Sequence, residues 1–524
     1  MGRLATPHEA ARNIASAAPL ATQERPPPGG LVAEAEAREV RRGRRTGPLR
    51  HIRRPPRVLA ALLGASFLLT LAWSLLIPPF HAPDEDEHYV YVQSLAENFK
   101  LPPHHSWSTP GPQLSPAVRM AEGYSRTRSY WLVDRGSARP PWDAAAQRRY
   151  AAAIRSRAPS SSHVDSAAYS GTDPPLYHAY AGIAYRAVPT SNVFTRLFAM
   201  RVWTVPLVLL TVLGAWLLAG ELFGPNRLLQ LVAAGTVGLQ PMITFMSSGV
   251  NPDAAAYASG AFVLWLGVRA MRREPDRATV IGLVASLVIA GLVKTALLTL
   301  VPAAMIALAI GLHRAGRLTR RVWRVVIASA AALIAVAVVV VIATSPVIAP
   351  KSASASGFLS YLWQFYLPRL PSQTPVHSLP AHAFYSIWFR GAWGVFGAGD
   401  VHLAPMAYRV LAALSLVTFA GAALALVRRR VPFDRAVLMF FALAVIGLLV
   451  GLHVADYLLI ARNGSGTAQG RYLLPLVPIA GVAVAVALTN LRSRWRLPGA
   501  ALVLSSMLAL NLISMGVVAG RFYA

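Results

Sequence analysis

The chain has 524 residues, 55% hydrophobic and only 14% charged, where an average soluble domain carries about 25% charged residues. It holds 50 Lys and Arg against 22 Asp and Glu, a formal charge of +28, and no cysteine. Disulfides, thiolate metal sites and cysteine nucleophiles are therefore excluded. The arginines cluster in short segments between apolar runs, which is the positive-inside pattern and not that of a nucleic-acid-binding surface.

Residues 1–57 are rich in Ala, Arg, Pro and Gly and have no apolar period. They are expected to form a disordered, basic cytoplasmic tail. The tail has no apolar stretch of its own and is not a signal peptide. Its cluster Arg41, Arg42, Arg44, Arg45, Arg50, Arg53, Arg54 and Arg57 reads as a topology anchor, with attraction to anionic cytoplasmic lipids as the alternative.

Apolar runs then predict membrane spans at 58–77, 201–222, 228–247, 254–268, 278–293, 295–312, 324–345, 405–427, 436–453, 471–490 and 497–518. The fold class is an all-α polytopic membrane protein of about eleven spans, roughly 10–12 given the uncertainty of boundaries. Arg269, Arg272, Arg273 and Arg277 mark one cytoplasmic loop, and Arg314, Arg317, Arg320, Arg321 and Arg324 the next. Arg428, Arg429 and Arg430, then Arg492, Arg494 and Arg496, mark two more. Alternating eleven spans from a cytoplasmic N-terminus satisfies every cluster. The apolar stretch 174–188 is too short to cross, about 22 Å as a helix. As a crossing it would invert every later loop, so it is read as a re-entrant or interfacial helix. Two long extracytoplasmic loops remain, 78–200 and 346–404. Trp107, Tyr124, Tyr130, Trp131, Trp142 and Tyr150 in the first suit the membrane interface.

The polar residues at the membrane edge are costly there and mark function by default. The turn 78–88, P-P-F-H-A-P-D-E-D-E-H, sets Asp84, Glu85, Asp86 and Glu87 beside His81 and His88. A helix opened by Pro83 puts Asp84 and His88 one turn apart, a cluster able to act as general base, as metal ligands, or both. Helix capping is the competing account. Asp173 in G-T-D-P-P-L-Y-H sits at the start of the short helix, as a cap or a site residue; His178 reads as a packing histidine. Asn251 and Asp253 in S-S-G-V-N-P-D fit sugar hydroxyls, a metal, or the cap of the next helix. Lys294 stands alone in a hairpin with almost no loop, either snorkelling or meeting a phosphate. Arg390 lies in S-I-W-F-R-G-A-W-G-V-F-G, where aromatic faces suit sugars and an arginine fork suits a phosphate. Gln469 and Arg471 open a later span, and an arginine on the outer edge departs from the positive-inside trend. All these residues fall on the extracytoplasmic face of the topology drawn from the arginine loops alone, which points to one outward-facing site.

As an ordered series, P-D-E-x-x-H after the first span, D-P-P-L-Y, N-x-D, the lysine hairpin, W-G-V-F-G and Q-G-R-Y-L-x-P resemble a bacterial family of multi-pass membrane proteins of unknown function, family twenty-one forty-two. The resemblance covers roughly residues 58–520 and leaves out the basic tail. That family is similar to the GT-C glycosyltransferases. The resemblance implies a GT-C-like membrane domain and transfer of a sugar from a polyprenyl-phosphate-linked donor to a cell-envelope glycan or protein acceptor outside the cytoplasm. It implies Asp84 and Glu85 as the catalytic carboxylates, in the position of the first-loop acid of GT-C enzymes. The polar residues give His88, Asp173, Asn251, Asp253, Lys294, Arg390, Gln469 and Arg471 as substrate-binding candidates. A divalent cation (Mg or Mn) on Asp84, Glu85 and His88 is compatible with this chemistry and not required by it. The alternatives are a transporter or flippase of a lipid-linked saccharide, for which inverted repeats and midplane polar groups are the signature, and a non-catalytic envelope-assembly protein. No nucleic-acid partner is expected.

Overall fold

The computed structural model describes residues 56–102, 114–125, 143–156, 173–317, 353–431 and 433–523, with scattered positions between 319 and 331. The basic tail up to residue 55, Trp107, Tyr130, Trp131 and Trp142 lie outside the described residues, as does most of the expected span 324–345. Among the described residues the protein is helical apart from one antiparallel hairpin, β1 (Val395–Phe396) and β2 (Val401–His402), with Val395 opposite His402.

In chain order the main helices are α1 (Arg57–Leu76), α2 (Glu85–Asn98), α3 (Leu176–Ala187), α4 (Val193–Thr204), α5 (Pro206–Phe223), α6 (Arg227–Gly238), α7 (Asp253–Arg272), α8 (Arg277–Val293), α9 (Val301–Arg314), α10 (Ala355–Tyr366), α11 (Pro405–Val427), α12 (Arg435–Asn463), α13 (Val477–Leu488) and α14 (Ser493–Phe522). Eight segments among the described residues are long and apolar enough to cross a membrane. α8 is equally apolar but has 17 residues. The protein is a multi-pass helical membrane protein, as its composition requires.

Several boundaries depart from the expected spans, each for a local reason. The run expected at 201–222 begins eight residues earlier, where Asn192 accepts the Phe194 and Thr195 amides and caps α4. The run expected at 228–247 is broken after Gly238, because the Gln240 side chain accepts the Ile243 amide and opens a short helix, Pro241–Met246. The runs at 295–312 and 471–490 open as 3-10 turns, Thr295–Leu300 and Gly470–Leu476. α12 runs ten residues past the expected end and stops at Gly464, whose φ of 75° suits glycine. Its 29 residues give a length of about 43 Å against a hydrocarbon core of about 30 Å. α3, at 12 residues, is too short to span.

Burial shows which helix is central. In α7, 78% of the apolar window is inside the protein, against 17% in α11 and in α14. The outer faces of those two leave Leu416, Val417, Phe419, Leu502 and Ile513 exposed, as lipid-facing helices do. α7 packs on α5, α8, α9 and the Gly470–Leu476 turn. Gly260 makes the last contact close: a Cβ there would lie 2.6 Å from the Pro475 carbonyl oxygen. The first residue of α7, the end of α1, the break after α8 and the Gly470–Leu476 turn thereby meet at one end of the bundle.

Candidate functional site

The acidic turn is built differently from the helix that Pro83 was expected to open. α2 begins at Glu85, and Asp84 flanks it in the left-handed region, φ 58° and ψ 20°, with no side-chain capping bond. Such a backbone costs on the order of 1–3 kcal/mol in a residue other than glycine and is typical of functional sites. It separates two carboxylates that are adjacent in sequence. The Asp84 side chain is 53% exposed, whereas that of Glu85 is fully buried.

Glu85, expected beside Asp84 as a second base or metal ligand, faces the interior. Its Oε1 accepts Arg201 Nε at 2.7 Å and the Val250 amide at 3.1 Å. Its Oε2 accepts Arg201 Nη2 at 2.5 Å and the Phe80 amide at 3.0 Å. The remaining Arg201 donors go to the carbonyls of Ser74, Ile77 and Pro78. Arg201 ties the end of α1 to the start of α2 through Glu85, and that carboxylate has no acceptor position left for a substrate. Arg201 is not among the residues singled out by the membrane-edge pattern, although an arginine in an apolar run is a signal in itself. Asp86 and Glu87 are also buried, on the first turn of α2.

Asp84 meets cations from later spans. Arg471 Nη2 donates to Asp84 Oδ2 at 2.5 Å, and Arg471 Nε stands 3.5 Å from Asp253 Oδ2. Lys294 donates to the other Asp253 oxygen and lies 4.2 Å from the Tyr472 ring centre. Acid and base thus alternate: Asp84, Arg471, Asp253, Lys294. Arg471 and Asp253 are almost wholly buried, while Nε and Nη1 of Arg471 have no hydrogen-bond partner. The protein mass around the cavity, the largest influence on Asp84, pushes its carboxyl up even though half of the side chain is open; Arg471, with His88 and Lys294, outweighs this and holds it below its ordinary value. Arg471 is placed by a backbone contact. Gly470 fits against the segment formed by the π-helix Phe384–Phe389 and the turn Arg390–Gly394, where a Cβ would meet the Gly391 carbonyl carbon and the Trp388 oxygen at 2.5 Å each.

A second cluster adjoins this row. One ligand atom from each of His88, Asp173 and His178 lies within 4.8 Å of the others, and His88 Nδ1 is 3.2 Å from His178 Nε2. Burial pushes His88 down to about 4, with Lys294 and Arg471 adding to the effect against Asp84. Burial also lowers His178, and His88 lowers it further. Burial lifts Asp173 to about 6 against the pull of Lys294. Neutral imidazoles are the form that binds metals. Two imidazole nitrogens and a carboxylate suit a borderline ion such as zinc better than the all-oxygen preference of Mg. The residues fit a divalent cation, but as His88, Asp173 and His178; of the expected trio only His88 takes part. His178, read as a packing residue, belongs to this group.

The other candidates divide. Asn251 serves the scaffold: its amide donates to the Tyr177 hydroxyl, its Nδ2 to the Pro83 carbonyl, and its Oδ1 accepts the Asp253 amide. Gln469 lines a cavity of about 290 Å³ together with Asp84, Arg471, Ser386 and His402. Arg390 stands outside that lining, 4.8 Å from the centre of the Tyr408 ring. His402, from β2, was not anticipated. Burial and the nearby Arg390 lower it from its ordinary value, so the imidazole is neutral near pH 7.

The family model described as a predicted membrane protein, DUF2142, matches residues 67–480, a stretch that contains every candidate residue. No curated protein matches the sequence. Among solved structures, ArnT from Cupriavidus metallidurans bound to undecaprenyl phosphate is similar at 14% identity and a TM-score of 0.41, over 88% of this chain and 63% of that one. The apo oligosaccharyltransferase of Archaeoglobus fulgidus is similar at 13% identity and a TM-score of 0.45, over 88% and 56%. The oligosaccharyltransferase AglB from the same organism, in complex with an inhibitory peptide and a dolichol-phosphate, is similar at 12% identity and 0.44, over 89% and 56%. This chain therefore spans less than two thirds of the length of each.

Proposed function

This chain belongs to the DUF2142 family of predicted membrane proteins, and we propose that it transfers a sugar from a polyprenyl-phosphate-linked donor to a glycan or protein acceptor on the extracytoplasmic side of the membrane. The observation that carries this reading is the buried Arg471 guanidinium, with Nη1 unpartnered beside Asp84 in a cavity that Gln469 and His402 also line. A base and an unsaturated cation are what glycosyl transfer from a phosphate requires.

The acceptor hydroxyl attacks the anomeric carbon and gives its proton to Asp84. The bond from that carbon to the phosphate oxygen breaks, and the lipid phosphate leaves with the electron pair. Arg471 holds the developing charge through its free donors, and Lys294, across Asp253, adds to the positive field. A phosphate on Arg471 draws the guanidinium away from Asp84, which then becomes a stronger base. Glu85 and Arg201 fix the turn that carries Asp84. A divalent cation held by His88, Asp173 and His178 would supply further charge stabilisation beside the phosphate.

The test is complementation of a deletion strain with Asp84→Asn, followed by analysis of envelope glycans at matched expression. The expected result is the glycan profile of the deletion strain; full rescue overturns the assignment. A topology reporter after residue 465 tests the face, and cytoplasmic signal there overturns it.

A further inference from the structure

The C-terminal half of α12 carries two buried polar residues that the proposed chemistry does not use, His453 and Asp456. Their hydrogen bonds form a line in which each proton has one place. The Tyr366 hydroxyl reaches His453 Nε2 at 2.7 Å, and His453 Nδ1 reaches the Tyr361 hydroxyl at 2.9 Å. That hydroxyl donates to Asp456 Oδ2 at 2.8 Å. Asp456 Oδ1 accepts the Thr467 amide at 2.7 Å and the Ala468 amide at 2.8 Å. Tyr361 has one proton and spends it on Asp456, so the His453 proton sits on Nδ1, and Nε2 accepts from Tyr366. Gly466 allows the approach, since a Cβ there would lie 2.5 Å from Asp456 Oδ1.

The line ends on the two residues that precede Gln469, Gly470 and Arg471. Ala468 and Gln469 line the same cavity as Asp84. Downstream, Gly470 is gripped by the backbone of the Phe384–Phe389 and Arg390–Gly394 segments. Upstream, Asp456 is the side-chain acceptor that holds the Thr467 and Ala468 amides. Charge-assisted bonds from backbone amides to a buried carboxylate are among the stronger hydrogen bonds in proteins. α10, which bears Tyr361 and Tyr366, is amphipathic and presents Leu359, Trp363 and Tyr366 outward.

We propose that Asp456 is a positioning residue for Arg471, held in register by Tyr361, His453 and Tyr366, so that the segment 465–469 presents the guanidinium to the phosphate of the donor. The donor part of this inference rests on the proposed function; the positioning part does not.

The experiment uses the full chain in lipid nanodiscs, with Asp456→Ala, Asp456→Asn and Tyr361→Phe. Two readouts are taken: amide hydrogen exchange over 464–470, and binding of undecaprenyl phosphate by native mass spectrometry. Asp456→Ala is expected to speed exchange in that segment, and to weaken binding, by about tenfold each, the loss of one to two kcal/mol of bonding to a charged group. Asp456→Asn keeps an oxygen for the two amides and is expected to restore most of both. Tyr361→Phe should fall between them, and it carries the test if Asp456→Ala does not fold. Unchanged exchange in Asp456→Ala, or faster exchange with unchanged binding, overturns the proposal. Absence of binding in the wild type overturns the donor reading instead, and the exchange comparison then decides the positioning role alone.

Discussion

The Asp84 carboxylate and the Arg471 guanidinium, 387 positions apart in the chain, meet at 2.5 Å. The proposed base and the proposed phosphate clamp are each other's counter-ion. Their substitutions should therefore act in opposite directions on anion binding. Asp84→Asn should cut transfer about 10²–10⁴-fold, the usual contribution of a general base, while holding or tightening undecaprenyl phosphate. Arg471→Ala should abolish both. Weaker binding in Asp84→Asn would mean that Asp84 contacts the donor as a ligand and does not compete for Arg471.

The same pairing sets a pH dependence. Asp84 lies below its ordinary value in the folded protein, so its contribution is complete above the unfolded carboxyl value of about 3.9 and is lost as pH falls through the lower folded one. Transfer should show no loss from Asp84 between pH 7 and 5 (about one to three units above that value). In Arg471→Lys, where a shorter, more strongly hydrated point charge replaces the guanidinium, the acid limb should move upward. A pH–rate profile of both proteins checks this.

Glu85 and Arg201 should behave as structure. Removing one partner of a buried ion pair leaves the other uncompensated and costs about 3–5 kcal/mol. Glu85→Gln or Arg201→Met is expected to lower the thermal midpoint sharply, and the double variant to recover part of the loss. A Glu85→Gln protein with normal stability and no transfer would return Glu85 to the chemistry.

Metal binding separates the two carboxylate neighbourhoods. His88→Ala and His178→Ala should each lose a zinc ion that the wild type retains after dialysis, measured by elemental analysis, whereas Glu85→Gln, once folded, should keep it. Retention by both histidine variants would place the ion elsewhere.

Gly470→Ala tests the backbone contact behind Arg471. The new methyl would lie 2.4 Å from the Ala392 nitrogen, and overpacking of this kind costs about 1–3 kcal/mol. Transfer should fall while helical content is unchanged. Gly516→Ala, with open space around it, should be neutral in both.

Much of the site could be read from residue types that are costly in a membrane. Asp84, Lys294 and Arg471 stood out because a bilayer tolerates such groups only with partners, and the structure pairs each of them with an opposite charge. What could not be read is direction. Asp84 and Glu85 are chemically alike and adjacent, and only the left-handed backbone at Asp84 sends one to the cavity and the other to Arg201. For Asn251 the sequence leaves sugar binding and helix capping open, and its Oδ1 accepts the Asp253 amide as a cap does. The 3-10 openings at Thr295 and Gly470 and the π-helix at Phe384 follow no simple apolar period, so the spans were drawn as uniform helices. Asp456 lies beyond the apolar run that ends at residue 453, in the part of α12 that hydrogen bonding and not hydropathy carries on to Asn463.

The distance along the chain between Asp84 and Arg471 also has a meaning for synthesis. At a translation rate of about 5–20 residues per second, the acidic turn leaves the ribosome some tens of seconds before its cation exists. Throughout that interval the growing chain holds a carboxylate at the membrane edge without the guanidinium that pairs with it. On the proposed reading, catalytic competence is thus acquired late in synthesis, and a truncation before Gly470 should yield an inserted, folded-in-part and inert protein.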